Sequence, residues 1–192
     1  MKRRNFSLIE LMVVIAIIAV LAGIAFPVLS SVNRKGKETK ARSEINALVM
    51  AIKQYEADYG TLPWGGGTDL VLTDDNYNVM LEILMNTTPS GDATTNGNPR
   101  HTRYLDPPAQ QVTPNGGSAG YYFLDPWQNR YHVALDLNYD GRINCSSINK
   151  SDSGTVSNFG GETGTLMGKV LVYSGNDSNQ VKEYIKSWKT SK

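Results

Sequence analysis

Hydrophobic and polar positions follow three successive regimes along the chain. From Phe6 to Leu29 the sequence reads FSLIELMVVIAIIAVLAGIAFPVL, with Glu10 its one charge and no polar face. Read as a helix, these 24 residues would reach about 36 Å at 1.5 Å per residue, enough to cross a bilayer core with some tilt. The run exceeds the roughly 7–15-residue apolar core of a cleaved secretory signal. Further on the pattern becomes periodic. Ala41, Ile45, Leu48, Ile52, Tyr55 and Tyr59 recur at three and four residues and make one apolar stripe, which Gly60 and Pro63 bring to a stop. The spacing predicts a single helix from Phe6 to about Asp58, roughly 80 Å long. Its first half is apolar all round, and its second half would pack a stripe on a C-terminal domain.

Past Gly60 the signals are shorter. Val79, Leu81, Ile83, Leu84 and Met85 predict a short helix over Asn78 to Met85. Residues 86–120, rich in Thr, Pro, Asn and Gly, predict a long loop. Strands are predicted at GYYFL, at the alternating Tyr131, Val133 and Leu135, and at GKVLVYS from Gly168 to Ser174. The fold class expected is α+β: a long N-terminal helix packed on a small antiparallel sheet.

Charge adds orientation rather than a partner. Nineteen basic and eighteen acidic residues leave a net charge of +1 and a pI near 7.8. That balance gives no field for nucleic acid. Lys2, Arg3 and Arg4 ahead of the apolar run favour a cytoplasmic N-terminus, which leaves the rest of the chain outside. Arg34, Lys35, Lys37, Lys40 and Arg42 follow the run, partly offset by Glu38 and Glu44, and read as a solvated helix face. Arg100, His101 and Arg103 read as a solvated loop rather than an anion site. Cys145 is the single cysteine, so no intrachain disulfide forms. Glu10 is the anomaly: an ionisable group at membrane depth costs about 2.5–3.5 kcal/mol near a span centre and usually has a partner. Its position near the cytoplasmic end would relieve part of that cost by snorkelling.

The basic leader, Phe6-Ser7-Leu8-Ile9-Glu10-Leu11 and Pro27 together resemble the class III signal of type IV pilins and type II secretion pseudopilins. The resemblance implies cleavage between Asn5 and Phe6 by prepilin peptidase and N-methylation of Phe6. It also implies an assembly role for Glu10, whose carboxylate would pair with the free Phe6 amine of a neighbouring subunit. The family strongly prefers Gly where this chain has Asn5. YEADYGTLPWGGG at the helix exit and Asp125-Pro126-Trp127-Gln128-Asn129-Arg130-Tyr131 are similar to major pseudopilins, with Gln128 and Arg130 replacing a Gly and a Pro of the family hairpin. The implied organisation is a leader at 1–5, a transmembrane or filament-core helix at 6–29, an amphipathic helix at 30–59, and a pilin-like β domain at 60–192 with a variable loop at 86–120.

Two loops hold candidate metal ligands. In DLNYDGRIN, Asp136, Asn138 and Asp140 alternate before Gly141, with the Arg142 carbonyl and Asn144 at the next alternate positions, as in the first half of a calcium loop. Ser147 stands where such a loop has a bidentate Glu, and the same residues also suit an Asp-Gly turn between strands. In the C-terminal YSGNDSNQVKEYIKSW, the resemblance to major pseudopilins suggests Ser174, Asp177 and Glu183 as calcium ligands. No cofactor is required, and Ca2+ is the one candidate. GGSAG, with Asp125 and His132 downstream, matches a nucleophile-elbow pattern, but it lacks the preceding strand and following helix that the elbow needs. An enzyme is not expected.

The function expected is a structural subunit of a type II secretion pseudopilus or type IV pilus-like filament. The implied partners are further copies of the chain in a helical filament, prepilin peptidase, an inner-membrane assembly platform and minor pseudopilins. The implied location is a single pass in the bacterial inner membrane with the C-terminal domain periplasmic, then a periplasmic or surface filament. The alternative is an uncleaved, membrane-anchored binding module.

Overall fold

The structure, a computed structural model, describes residues 7–63, 67, 69–72, 74–87, 97–114, 121–144, 159, 164–174 and 185–189, with backbone alone at 24–30, 70–71, 74–76 and 113–114. The chain divides into two units, Met1–Thr39 and Lys40–Lys192. The division falls inside the stretch 30–59 assigned to the amphipathic helix, at the point where the first buried position among the described residues, Ala41, arrives.

Helix α1 (Leu8–Tyr59) begins in the first unit and runs through Pro27 without interruption. From Leu8 to Leu21 its large apolar side chains are all exposed, between 48% and 76%. A helix that is apolar on every side finds its partner in lipid or in other apolar helices rather than in water. Among the described residues no helix is long and apolar enough to cross a membrane. The described side chains of this run end at Gly23, whereas the sequence stays uncharged to Leu29. Arg34, Lys35 and Lys37 are exposed, and Arg34 pairs with Glu38 one turn on at 3.3 Å, as a solvated face does.

In the second unit α1 has one buried face. Ala41, Ile45, Leu48, Ile52 and Tyr55 are buried to within 1% of completely, and Tyr59, last in the stripe, is half-buried. Gly60 ends the helix with φ 75°, and its N–H bonds the Glu56 carbonyl at 2.7 Å. That left-handed residue is the usual glycine solution at a helix C-terminus.

Helix α2 (Asp74–Met85) starts four residues before the predicted Asn78. The apolar run marked its buried end, but Asp74 and Asp75 suit a helix N-terminus, where negative charge meets the positive end of the dipole. The added turn brings Tyr77 into the core.

The main sheet is antiparallel, in the order β1 (Leu70–Val71), β4 (His132–Leu135), β7 (Val170–Ser174), β8 (Ile185–Lys186). Two further ladders pair β2 (Val112–Pro114) with β3 (Tyr121–Phe123), and β5 (Arg142–Asn144) with β6 (Thr165–Met167). The fold is α+β, as the sequence pattern predicted, and pilin-like, as the resemblance implied. On one sheet face Tyr131, Val133, Leu135, Val170 and Val172 join the α1 stripe and α2 in the larger core. On the other face Ala134, Leu171 and Tyr173 join Ile143 and Phe159, with Leu166 and Trp188 packed alongside. All five residues of β7 are therefore buried, and an uninterrupted apolar run is what a strand covered on both faces requires.

The stretch 86–120 is not a plain loop. Ala109–Gln111 forms a 3-10 turn and Val112–Pro114 is strand β2. Residues 97–105 serve as the cap of α2: Asn98 donates to Ile83 O, Arg103 Nε donates to Met85 O, and the N–H groups of Tyr104 and Leu105 both bond Leu84 O. The carbonyls so satisfied are those that a helix end leaves open. Tyr55 and Tyr59 reach the same segment from α1, through Gly97 O at 3.1 Å and Asn98 Oδ1 at 2.8 Å. Its basic residues are engaged locally. Arg100 lies over the Tyr59 ring, Arg103 pairs with Asp106 at 3.0 Å, and His101 Nδ1 is 3.3 Å from Asn86 Oδ1. Residues 88–96 and 115–120 lie outside the described residues.

Two polar contacts fasten α1 to the sheet side of the domain. Lys169 Nζ reaches Glu56 at 2.8 Å. The Tyr131 hydroxyl donates to Glu44 Oε2 at 2.6 Å. Burial first, and the Glu44 carboxylate second, hold the Tyr131 phenol well above its ordinary range, so it stays a donor. Tyr131→Phe keeps the ring and leaves Glu44 short of a partner. It should cost about 1–2 kcal/mol, read as a lower melting temperature in near-ultraviolet circular dichroism with the fold retained.

Candidate functional site

Three places collect the residues that the sequence singled out. The first is the start of α1. Asn5 and Phe6, the expected processing pair, lie outside the described residues. Ser7 precedes the helix, and its backbone N–H donates to Glu10 Oε2 at 2.9 Å. This is the backward half of a capping box, in which the acidic residue three positions on satisfies the N–H of the capping residue. Glu10 also brings its charge to the positive end of the helix dipole. The carboxylate that seems misplaced in an apolar run thus has a local partner within its own chain. Its sequence signal is the Ser-x-x-Glu spacing of Ser7-Leu8-Ile9-Glu10, which the apolar run around it masks.

The second is the turn Asp125 to Tyr131. Asp125 is fully buried. Its Oδ1 accepts the N–H groups of Trp127 at 2.8 Å and Asn129 at 2.9 Å, and its Oδ2 accepts the Ser174 hydroxyl at 2.6 Å. Leu124 bridges back to Arg130, closing the turn. Gln128, where the similar hairpins carry Gly, has φ 69°. It therefore holds the left-handed conformation that Gly adopts freely, at a cost of about 1–2 kcal/mol. His132 stacks on Tyr173 with ring centroids 4.5 Å apart. Asp125 and His132 are thus committed to structure. Gly116 to Gly120, the rest of the elbow-like pattern, lies outside the described residues.

The third is the pair of loops read as calcium candidates. In the first, Asp136 is fully buried and its Oδ2 accepts the Gly141 N–H at 2.8 Å. Asn138 Oδ1 accepts the Asp140 N–H, and Asp140 Oδ1 accepts the Arg142 N–H. Asn144 N–H turns outside the loop to Asp69 Oδ2, 3.2 Å away. The loop does not join paired strands as a hairpin turn would, because β4 pairs with β1 and β7 whereas β5 pairs with β6. Among the described residues, no three His, Cys, Asp or Glu side chains group so as to hold a metal. In the second loop Ser174 is buried and spends its hydroxyl proton on Asp125. Asp177 and Glu183 lie outside the described residues.

Comparison with known proteins bears on the first place. Residues 1–26 match the family model described as the prokaryotic N-terminal methylation motif. The chain is 46% identical over 57 residues to the type II secretion system core protein G of Escherichia coli, which covers 30% of this chain and 39% of that protein. It is 41% identical over 54 residues to the type IV major pilin protein PilA of Myxococcus xanthus, covering 28% of this chain and 24% of that one. The chain belongs to the type IV pilin and pseudopilin family.

A fimbrial protein of Pseudomonas aeruginosa is 30% identical over a longer alignment of 102 positions, gaps included, that covers 43% of this chain and 66% of that protein. The alignments to core protein G and to PilA thus span well under half of either protein. No solved structure matches the chain. The pilins and pseudopilins are structural subunits, in keeping with a buried Asp125 and a half-buried His132 that serve packing. The family motif ends at residue 26, so the Asp125 turn and the 136–144 loop rest on this chain's own geometry.

Asp125 holds three donors from two segments, and its removal should weigh more than the loss of any one of them. Asp125→Ala should destabilise the domain by about 3 kcal/mol or more and Ser174→Ala by about 1 kcal/mol, read as thermal unfolding of the full chain in detergent. Equal effects of the two would contradict the three-way clamp.

Proposed function

We propose that this pilin-family chain is a filament subunit of the secretion-pseudopilus kind, polymerised through α1 after its leader is removed. One observation carries the reading. Eleven large apolar side chains between Leu8 and Leu21 stand exposed on a single helix, and the one charge among them sits a turn from the expected new N-terminus. Such a surface lowers its free energy by roughly 25 cal/mol for each Å2 withdrawn from water, in lipid before assembly and against other copies afterwards.

In this reading prepilin peptidase cuts between Asn5 and Phe6, and the new Phe6 amine is methylated. The subunit waits in the inner membrane with residues 40–192 on the periplasmic side, until an assembly platform, with minor pseudopilins, adds it to a helical filament. Glu10 then accepts the Phe6 amine of a neighbour. Two opposite charges in an apolar interior are tolerable only where each satisfies the other, so the pair would fix the register of one α1 against the next. The DPWQNRY turn and the likeness to a secretion core protein favour a secretion pseudopilus over an adhesive pilus. The chemistry needs no cofactor.

Asn5, in the place where the family prefers Gly, favours a second reading, an uncleaved membrane-anchored binding module. Mass spectrometry separates the two: a mass for residues 6–192 plus one methyl group supports the filament subunit, and an intact Met1 supports the anchor.

The two roles of Glu10 also separate by mutation. Glu10→Gln keeps an oxygen for the Ser7 N–H and removes only the charge, so the detergent-solubilised monomer should be unchanged while incorporation into filaments is lost. Glu10→Ala should lose incorporation and in addition weaken the helix start by about 1 kcal/mol. Filaments that form normally from either variant would overturn the assembly role.

A further inference from the structure

We propose that Asp69 and Asp136 form a calcium site together with the loop from Asp136 to Asn144, and that Asp69, 67 residues earlier in the chain, supplies the ligand this loop lacks. The pairing of β1 with β4 sets Leu70 opposite Leu135 and Val71 opposite Ala134. Carried one residue further, the register sets Asp69 opposite Asp136. Directly opposed residues of antiparallel strands have Cβ atoms about 4.5–5.5 Å apart on one face, and two like charges there repel.

Each carboxylate is half used. Asp136 is fully buried, with Oδ2 on the Gly141 N–H, while its Oδ1 is buried without a hydrogen-bond partner among the described residues. Asp69 Oδ2 accepts the Asn144 N–H from the other end of the same loop, and its Oδ1 is likewise buried without a partner. The two side chains therefore grip both ends of one loop, and each leaves one anionic oxygen out of water. A buried carboxylate oxygen calls for a donor or a cation. Lys169, whose carbonyl accepts the Asp136 N–H at 3.0 Å, spends its ammonium on Glu56 at 2.8 Å and lies 5.3 Å from the centre of the Tyr139 ring.

The surrounding donors specify the cation. Asp69, Asp136, Asn138 and the Arg142 carbonyl all offer oxygen, and no His or Cys stands among them. Oxygen-only donors suit a hard cation, and two carboxylates that each keep one oxygen out of water, completed by amide and main-chain carbonyls and by water, suit the six to eight flexible ligands of calcium better than the octahedron of magnesium. Such a completion requires no third acidic side chain. The loop is already turned for it, with Tyr139 at φ 60° and Gly141 at φ 78°. Calcium here would tie β1, the edge strand of the main sheet, to β5 through the loop, whether or not the chain forms filaments.

The test uses the full chain in detergent with calcium chloride against a chelator. Calcium should raise the melting temperature by several degrees. Asp69→Asn keeps an oxygen for the Asn144 N–H, so it should fold as the parent does by circular dichroism while its calcium affinity falls by about tenfold or more. Asp136→Asn should act in the same direction, and Asp177→Asn, in the C-terminal loop, should leave the affinity intact. No calcium-dependent shift in the parent chain, parental affinity in a folded Asp69→Asn, or loss of binding in Asp177→Asn alone would each overturn the site.

Discussion

Ile45, Leu48, Ile52 and Tyr55 form a ridge along α1, and the fold of residues 40–192 is arranged around burying it. The ridge is wide enough to meet α2 and one face of the main sheet together. Everything else in that unit either thickens the cover or fastens it. Tyr131 and Lys169 hold α1 by polar contacts near the two ends of its buried stripe, at Glu44 and Glu56. The 97–105 segment is held at the same place, because Tyr55 and Tyr59 each keep a ring in the core and pass a hydroxyl outward to it. A tyrosine in such a position does two jobs, apolar at its base and polar at its tip.

The second face of the sheet explains features that the ridge does not. Tyr173 points away from α1, stacks on His132 and meets the edges of Phe159 and Trp188. This smaller aromatic cluster covers strands β4 and β7 from behind. It makes β7 the most enclosed strand of the domain and gives Ser174, at its end, a buried place from which to reach Asp125. The DPW turn is thus held by the sheet it precedes, which is why Gln128 can stand in a backbone conformation made for Gly.

What was legible in the sequence follows from how local each signal is. The α1 stripe, its stop at Gly60 and the strands around Val133 and Val172 depend on periodicity within a few residues, and they were readable. The family resemblance was readable because its motif is a contiguous run from Phe6. The start of α2 was placed late because its first turn is polar and only its later turns carry apolar spacing. Strand β2 was hidden in a Pro- and Gly-rich stretch, since a three-residue strand has too few positions to show alternation. Ser7 as a cap was masked by the apolar run around it. Asp69 was not visible at all: nothing near it in sequence marks a ligand, and only the register of β1 on β4 brings it opposite Asp136. The calcium-like spacing of the 136–144 loop was readable, whereas the ligand we propose from across a strand leaves no mark in a local spacing.

The hydrogen bond from the Ser7 N–H to Glu10 has a consequence for how α1 moves between environments. A bare carboxylate loses its whole hydration shell when water is withdrawn, whereas one that already accepts an N–H from its own helix carries part of its solvation with it. In the filament reading proposed above, the apolar run would therefore carry a built-in substitute for water at its single charged position. Assembly of that kind would then be an exchange of one donor for another, with no interval in which the charge stands naked.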